Sequence, residues 1–334
     1  VRPPIIVAEL SANMATGSLT RALATVDAAR TAGADAIKLQ TWSPGTMCLD
    51  PDYRIKDGAW QGQRLADLYQ LAATPWEWHK AIFERAKRAG LEVWSTPFDA
   101  GAVDFLSTLD CSRYKIASFE ILDLELIAHA ARQRRPMIIS TGMAKIREID
   151  DAVVAARTAD NPLTLLQCTS AYPAPVREAN LLNMRYMEAR WNVRAGLSDH
   201  TMGSAVACAA TALGAVMIEK HFTLDRLRGG PDAHFSMEPG EFGRMVTQVR
   251  EVAASLGRPR FGPTASESLE LRRGVYWASD LPAGHDVTPG DFVTARPSTE
   301  MAPVQARMNV GQCLAVAVTR HSAVKHDDFE MDES

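Results

Sequence analysis

The chain has 334 residues with 46% hydrophobic and 23% charged residues, an ordinary soluble composition with room for a large α/β domain plus an appendage. Its formal charge of −4 offers no basic surface for nucleic acid or an acidic membrane, and no run approaches membrane-spanning length. Five cysteines, an odd number without a CxxC pair, fit a reducing cytoplasm, and the N-terminal VRPPIIVAEL is too short in apolar residues for a signal peptide.

In chain order the sequence reads as repeated strand-then-helix units. IIVAEL ends near Glu9 and precedes the helix SLTRALATVDAARTAGA. AIKLQTW carries Lys38 and Gln40, and an excursion with Ser-Pro-Gly and Asp-Gly turn signals runs from Ser43 to Ala73. The helix TPWEWHKAIFERAKRAG then opens on Thr74 as N-cap with Pro75 in its first turn and closes at Gly90. Its Trp76, Trp78 and His79 have helical spacing, which favours core packing or a lid anchor over a sugar platform. LEVWSTPF ends at Ser95-Thr96, YKIASFE carries Lys115 and Ser118, PMIISTG carries Ser140, and LTLLQCTSAYP carries Cys168, Ser170 and Tyr172. Cys168 and Cys208 read as buried small hydrophobes.

The stretch 196–222 is a strand ending in Ser198-Asp199-His200, an Ala-rich helix, and a strand ending in Glu219-Lys220-His221. One helical crossover makes the two strands parallel neighbours, so His200 and His221 meet at their carboxyl ends. Two imidazoles there, with Asp199 and Glu219 nearby, suit a divalent cation with open positions, or simply two hydrogen-bonded histidines. The loop GGPDAHFSMEP follows; its glycines allow close backbone approach to a ligand, and Asp232 and His234 overhang the strand ends, His234 either as a participant or as a surface residue. The helix EPGEFGRMVTQVREVAASLG closes the region near Gly257.

Eight such units within residues 1–257 predict a (β/α)8 barrel. An open doubly wound sheet is the competitor, disfavoured because no GxGxxG turn follows the first strand and polar residues recur at every strand end. A closed ring gathers those ends into one mouth, where lysines and hydroxyls suit a phosphorylated or polycarboxylate anion. Lys38 and Lys115 lie within apolar runs, so anionic partners are expected for both. Residues 258–271 read as a linker, and 272–334 as a small β-rich domain whose acidic end, DDFEMDES, frays.

The strings KIASFEILDLELIAHAA, PMIISTGMA, SAYPAP, GLSDHT, IEKHFTLD and GGPDAHFSMEP together resemble the sialic acid synthase family of nonulosonate synthases, over nearly the whole chain. AELSAN, IKLQTW, LAATPWEWHK and STPFDAGAVDFL are most similar to its pseudaminic acid synthase branch. The resemblance implies a TIM barrel with a C-terminal antifreeze-like (SAF) domain. It implies condensation of phosphoenolpyruvate with a 2,4-diacetamido-6-deoxyhexose or related amino sugar to a nine-carbon 2-keto acid and phosphate. It places a metal, manganese first and magnesium or cobalt as alternatives, on His200 and His221. Phosphoenolpyruvate falls to Lys38, Thr96, Lys115, Ser118, Ser140, Ser170 and Ser198, and the sugar to Gln40, Tyr172, Asp232 and Arg296. Glu9 and Glu219 are left as the catalytic carboxylates, each able to orient sugar or move a proton. It also implies a homodimer that swaps its small domain, bringing Arg296 to the partner's sugar site.

Three departures stand out, the first two at the sugar end. The usual Asn-His-Asn-Gly turn reads Asn13-Met14-Ala15-Thr16-Gly17, RPSTE lacks the glycines of RPGxG, and Ser170 replaces an asparagine, as in the pseudaminic branch. Another metal-dependent synthase or aldolase with a different aldehyde acceptor, and a non-catalytic sugar-binding protein, are the competing functions.

Overall fold

The structure is a computed structural model that describes residues 2–14 and 17–330. The departures at Ala15 and Thr16 and the last four acidic-tail residues therefore lie outside the described residues. The chain divides into two compact units, with the boundary between Arg258 and Pro259.

In the first unit eight parallel strands close into a barrel in sequence order. They are β1 (Ile5–Glu9), β2 (Ala36–Thr41), β3 (Glu92–Pro97), β4 (Tyr114–Ile116), β5 (Met137–Ser140), β6 (Leu163–Cys168), β7 (Arg194–Asp199) and β8 (Met217–His221). β1 closes on β8 with Glu9 opposite His221 and on β2 with Glu9 opposite Lys38. The strands are short and almost wholly buried because one face fills the barrel and the other meets the helices. The helix Leu19–Thr31 is capped by Ser18, whose hydroxyl accepts the Arg21 N–H at 3.3 Å, and presents Ala22, Val26 and Ala29 to the core. Among the described residues no helix is long and apolar enough to cross a membrane.

Three local expectations change. The fourth strand stops at Ile116, and Ser118–Glu120 form a 3-10 turn. The helix expected to start on Thr74 spans Trp76–Arg88, with Pro75 rather than Thr74 at the capping position, because proline's fixed φ serves at the entrance without a donor. The excursion from Ser43 contains a helix, Leu65–Ala72, whose single amphipathic stripe is too short to stand out in sequence. Trp76 does pack as expected, stacked on Phe105 at 4.5 Å and donating its indole N–H to the Trp42 carbonyl at 3.0 Å.

The second unit pairs β9 (Gly274–Trp277) antiparallel with β10 (Phe292–Ala295). Trp277 centres its small core with Val275, Leu281, Leu314, Val324 and Phe329, and its indole N–H reaches the Asp328 carboxylate at 3.0 Å. The end of the expected linker belongs to this unit: Ser298 N–H donates to the Glu270 carbonyl at 2.9 Å, and Arg296 Nε to the Leu271 carbonyl at 2.5 Å.

Candidate active site

Side chains alternate along each strand, so one register of polar residues faces the barrel mouth and the next faces outward. At the mouth the Lys38 ammonium contacts the Glu9 carboxylate, donates to Thr96 Oγ1 at 3.3 Å and lies 3.7 Å from Glu219 Oε1. Ser198 Oγ donates to the same Glu219 oxygen at 3.1 Å. These groups come from β1, β2, β3, β7 and β8, and ring closure is what joins the first strands to the last. Burial opposes the charge on both Lys38 and Glu219, and their mutual attraction wins. The Lys38 pKa is raised by Glu219 and Glu9, and Lys38 and Lys115 hold the Glu219 carboxyl down at about 2.

Lys115 is placed differently. It is 1% exposed, and its ammonium donates to Ser140 Oγ at 2.6 Å and to the Ile116 carbonyl at 3.0 Å, while the attraction of Glu219 and Glu9 is too weak to offset its burial. Burial consequently pushes its pKa down. Beside it, Gly142 N–H donates to Ser118 Oγ at 3.1 Å, and a Cβ on Gly142 would run into the hydroxyls of both Ser118 and Ser170. Two hydroxyls and a backbone N–H therefore converge there, close in the chain to an ammonium whose burial is not fully offset, a set suited to cradling an anion. Gln40, half-buried, sits on β2 in register with Thr96.

His200 and His221 lie with ring centroids 5.3 Å apart, the Tyr172 ring 4.2 Å from His200 and 6.1 Å from His221. His200 Nδ1 is 2.9 Å from the Thr169 carbonyl, which can only accept, so Nδ1 carries a proton and Nε2 is the nitrogen free to coordinate when the ring is neutral. His221 Nδ1 is buried without a hydrogen-bond partner, 3.4 Å from Asp232 Oδ2, and Glu219 Oε2 is likewise buried and unpartnered. This donor set fits a divalent cation on two imidazoles with its remaining positions left to substrate and water. Among the described residues no group of three or more His, Cys, Asp or Glu side chains is arranged around a metal position.

Two expectations about this corner change. Asp199 does not flank the imidazoles; it points outward, where Oδ2 accepts from Lys220 Nζ at 2.8 Å and Oδ1 from Thr201 N–H and Oγ1 at 2.9 and 2.7 Å. It stands one residue out of step with Ser198 and His200, and strand alternation sends it to the other face. The glycines of GGPDAHF serve backbone packing rather than a ligand, since a Cβ on Gly230 would collide with the Ala12 carbonyl. Asn13 ties the same region together, donating to the Phe222 carbonyl at 2.9 Å and to Ser236 Oγ at 2.8 Å.

Three participants escaped sequence reading. Glu120 is a buried carboxyl whose pKa is pushed up to about 7 by burial against the pull of Lys115; the KIASFE string contained it, without a sign of which way it would face. Cys168 is buried as expected but lies 3.8 Å from His200 Nδ1; burial resists its ionisation, and His200, Ser118 and Lys115 outweigh that, holding the thiol at about 7. Trp60, from the excursion, stands 5.4 Å from the Tyr172 ring. Arg296 lies in the second unit, on the residue after β10.

A closed parallel barrel whose mouth combines two buried ammoniums, a hydroxyl cradle and paired imidazoles defines a barrel enzyme built for an anionic substrate. Residues 25–260 match the NeuB family. The chain is 39% identical to the pseudaminic acid synthase of Helicobacter pylori over 99% of both chains, and 32% identical to the N,N'-diacetyllegionaminic acid synthase of Legionella pneumophila over 97% of this chain and 94% of that one. The crystal structure of N-acetylneuraminic acid (sialic acid) synthetase from Leptospira borgpetersenii in complex with citrate superposes with a TM-score of 0.72 at 30% identity, covering 79% of this chain and 89% of that one. The chain belongs to the NeuB family.

Proposed function

We propose that the protein condenses phosphoenolpyruvate with a 2,4-diacetamido-6-deoxyhexose, or a related amino sugar, to give a nine-carbon 2-keto sugar acid of the pseudaminic type and inorganic phosphate. The observation that carries this reading is Lys115, a buried ammonium bonded to a hydroxyl, whose burial outweighs the attraction of the nearby carboxylates Glu219 and Glu9. Such a group needs a bound anion. Full-length likeness to pseudaminic acid synthases supplies the acceptor class.

Lys115, Ser118, Ser140, Gly142 N–H and Ser170 would hold the enol phosphate, with Lys38, Thr96 and Ser198 completing the cradle. Asp232, Gln40 and Tyr172 would face the open-chain sugar. A divalent cation, manganese first and magnesium or cobalt as alternatives, would sit on His200 and His221 and supply Lewis-acid polarisation of the aldehyde. C3 of the enol attacks the aldehyde carbon, forming the C–C bond while the aldehyde oxygen takes up a proton. Water adds to the electron-poor C2 and loses a proton. The resulting tetrahedral carbon then breaks its bond to the phosphate oxygen, leaving the 2-keto acid and phosphate. The lysines hold phosphate and carboxylate charge throughout. Glu9, in contact with Lys38, and Glu219, bonded to Ser198, are the carboxylates positioned to orient sugar or move these protons.

We also propose that the small unit is an antifreeze-like (SAF) domain exchanged across a homodimer, so that Arg296 serves the partner's sugar site. The matched length of the H. pylori relative, 99% of both chains, supports a shared domain set.

The test is phosphate release from phosphoenolpyruvate with manganese and candidate acceptors. Release with a 2,4-diacetamido-6-deoxyhexose, with a 2-keto acid formed in equal amount, is the expected outcome. A better non-amino aldehyde would favour the aldolase-like reading, and sugar binding without release a non-catalytic one. His200→Ala and His221→Ala should each abolish metal-dependent turnover; full activity in both would sink the seat.

A further inference from the structure

Five rings run without a break from the paired imidazoles to the edge of the mouth. Tyr172 lies 4.2 Å from His200, Phe235 lies 4.9 Å from His221 and 5.1 Å from Tyr172, and Trp60 lies 5.4 Å from Tyr172 and 6.2 Å from Phe235. They come from three separate loops, after β2, β6 and β8. The outermost is held in place by a hydrogen bond between loops: Trp60 Nε1 donates to the Pro231 carbonyl at 3.1 Å. That bond uses the indole's single donor. Phe235 has none, and Tyr172 carries one hydroxyl. Outward from the imidazoles these three side chains present aromatic carbon with two polar atoms, the Tyr172 hydroxyl and the engaged Trp60 nitrogen.

From this we infer that Trp60 is a specificity residue, whose ring, backed by the buried Phe235, takes the methyl-bearing end of the acceptor and selects a 6-deoxy sugar over its 6-hydroxy counterpart. The inference rests on the condensation proposed above. In that reaction the acceptor aldehyde must lie against the imidazoles, so the far end of the open-chain sugar extends along the wall. A methyl group there exchanges water for aromatic carbon, which is favourable. A hydroxyl set against the Trp60 face loses its water and gains no bond from that ring, because its one N–H is already engaged.

The experiment measures kcat/KM with phosphoenolpyruvate for a matched pair, a 2,4-diacetamido-6-deoxyhexose and the same sugar with its 6-hydroxyl, in wild type, Trp60→Ala and Trp60→Phe. Wild type should prefer the deoxy sugar. Trp60→Ala should lower kcat/KM for the deoxy sugar by roughly 10-fold or more, mainly through KM, the scale of discrimination an apolar pocket gives for one small group. The 6-hydroxy sugar should fall far less, and KM for phosphoenolpyruvate should stay the same. Trp60→Phe, which keeps a ring and loses the bond to Pro231, should retain most of the preference. Equal loss for both sugars in Trp60→Ala, or a preference lost equally in both variants, would assign Trp60 to holding the loops and overturn the inference. Failure of the condensation itself looks different: wild type releases no phosphate with either sugar. Even then the deoxy sugar should quench wild-type tryptophan fluorescence more than that of Trp60→Phe, and identical quenching would overturn the inference.

Discussion

A buried ammonium is tolerable only where something offsets its lost hydration, and Lys38 and Lys115 meet that demand in different ways. Lys38 is balanced within the protein by Glu9 and Glu219, whereas Lys115 donates to a hydroxyl and a carbonyl and feels its carboxylates too weakly to offset burial. Replacing each with methionine should separate the two roles. Lys115→Met should raise the melting temperature of the ligand-free protein while removing the stabilisation that phosphoenolpyruvate confers. Lys38→Met should lower it, because two carboxylates lose their cation, a loss that costs about 3–5 kcal/mol for a buried pair. Scanning calorimetry with and without phosphoenolpyruvate reads both. Glu120 adds a pH signature: burial raises its carboxyl from 4.5 to about 7 in the fold. The folded state then binds its proton more tightly than the unfolded chain, so this group stabilises below about 4.5 and loses that contribution as pH rises through about 7. Glu120→Gln, which keeps the neutral shape, should gain on wild type between pH 5 and pH 8, by roughly 2–4 °C in melting temperature. A constant difference across that range would remove Glu120 from the titrating set.

At the scale of elements, β7 and β8 carry two layers of chemistry on opposite faces. Inward are Ser198, Glu219 and His221, with His200 just beyond the strand; outward, the Lys220 ammonium grips Asp199 at 2.8 Å, the Thr201 carbonyl and the Gly203 carbonyl at 3.2 Å. This outer pair fixes the turn leaving His200, and neither partner is more than 2% exposed. Asp199→Asn should destabilise the barrel by about 3–5 kcal/mol, the usual cost of stripping one partner from a buried pair, and should be visible as a lower urea midpoint with an unchanged m-value. A second outer network ties the helix Trp76–Arg88 to the barrel, with Thr41 Oγ1 bonded to His79 Nε2 at 2.8 Å and to Ser95 Oγ at 2.7 Å. Burial holds the His79 pKa down at about 4, so its contribution is complete above about 6.5 and is lost as pH falls through about 4. These elements also mark what the sequence could convey. Strand order, the barrel and the meeting of His200 with His221 follow from polarity and crossover rules that a linear pattern carries. The outward turn of Asp199 was equally implicit in strand alternation, but a carboxylate beside a histidine drew a metal reading first. Trp60 was illegible for another reason: its neighbours are more than 100 residues away, on loops whose paths no local periodicity encodes.

For the whole molecule, the proposed domain exchange makes a prediction that neither unit makes alone. His221→Ala and Arg296→Ala chains, each inactive by itself, should regain activity when co-expressed, because one active site of a mixed dimer then holds both an intact histidine pair and an intact arginine. No recovery would place Arg296 outside the partner's site. The acidic and basic groups of the barrel mouth have a separate consequence. Glu9, Glu219 and Asp232 outnumber Lys38 and Lys115, and the chain as a whole carries −4. Before the proposed cation binds, the barrel mouth therefore exerts no long-range pull on a multiply charged anion; the attraction of Lys115 is felt only after arrival, inside the low-dielectric pocket. Speed of capture and strength of retention are thus governed by different physics. Raising ionic strength should leave the bimolecular rate for phosphoenolpyruvate nearly flat, and any salt sensitivity should surface in how long the molecule stays.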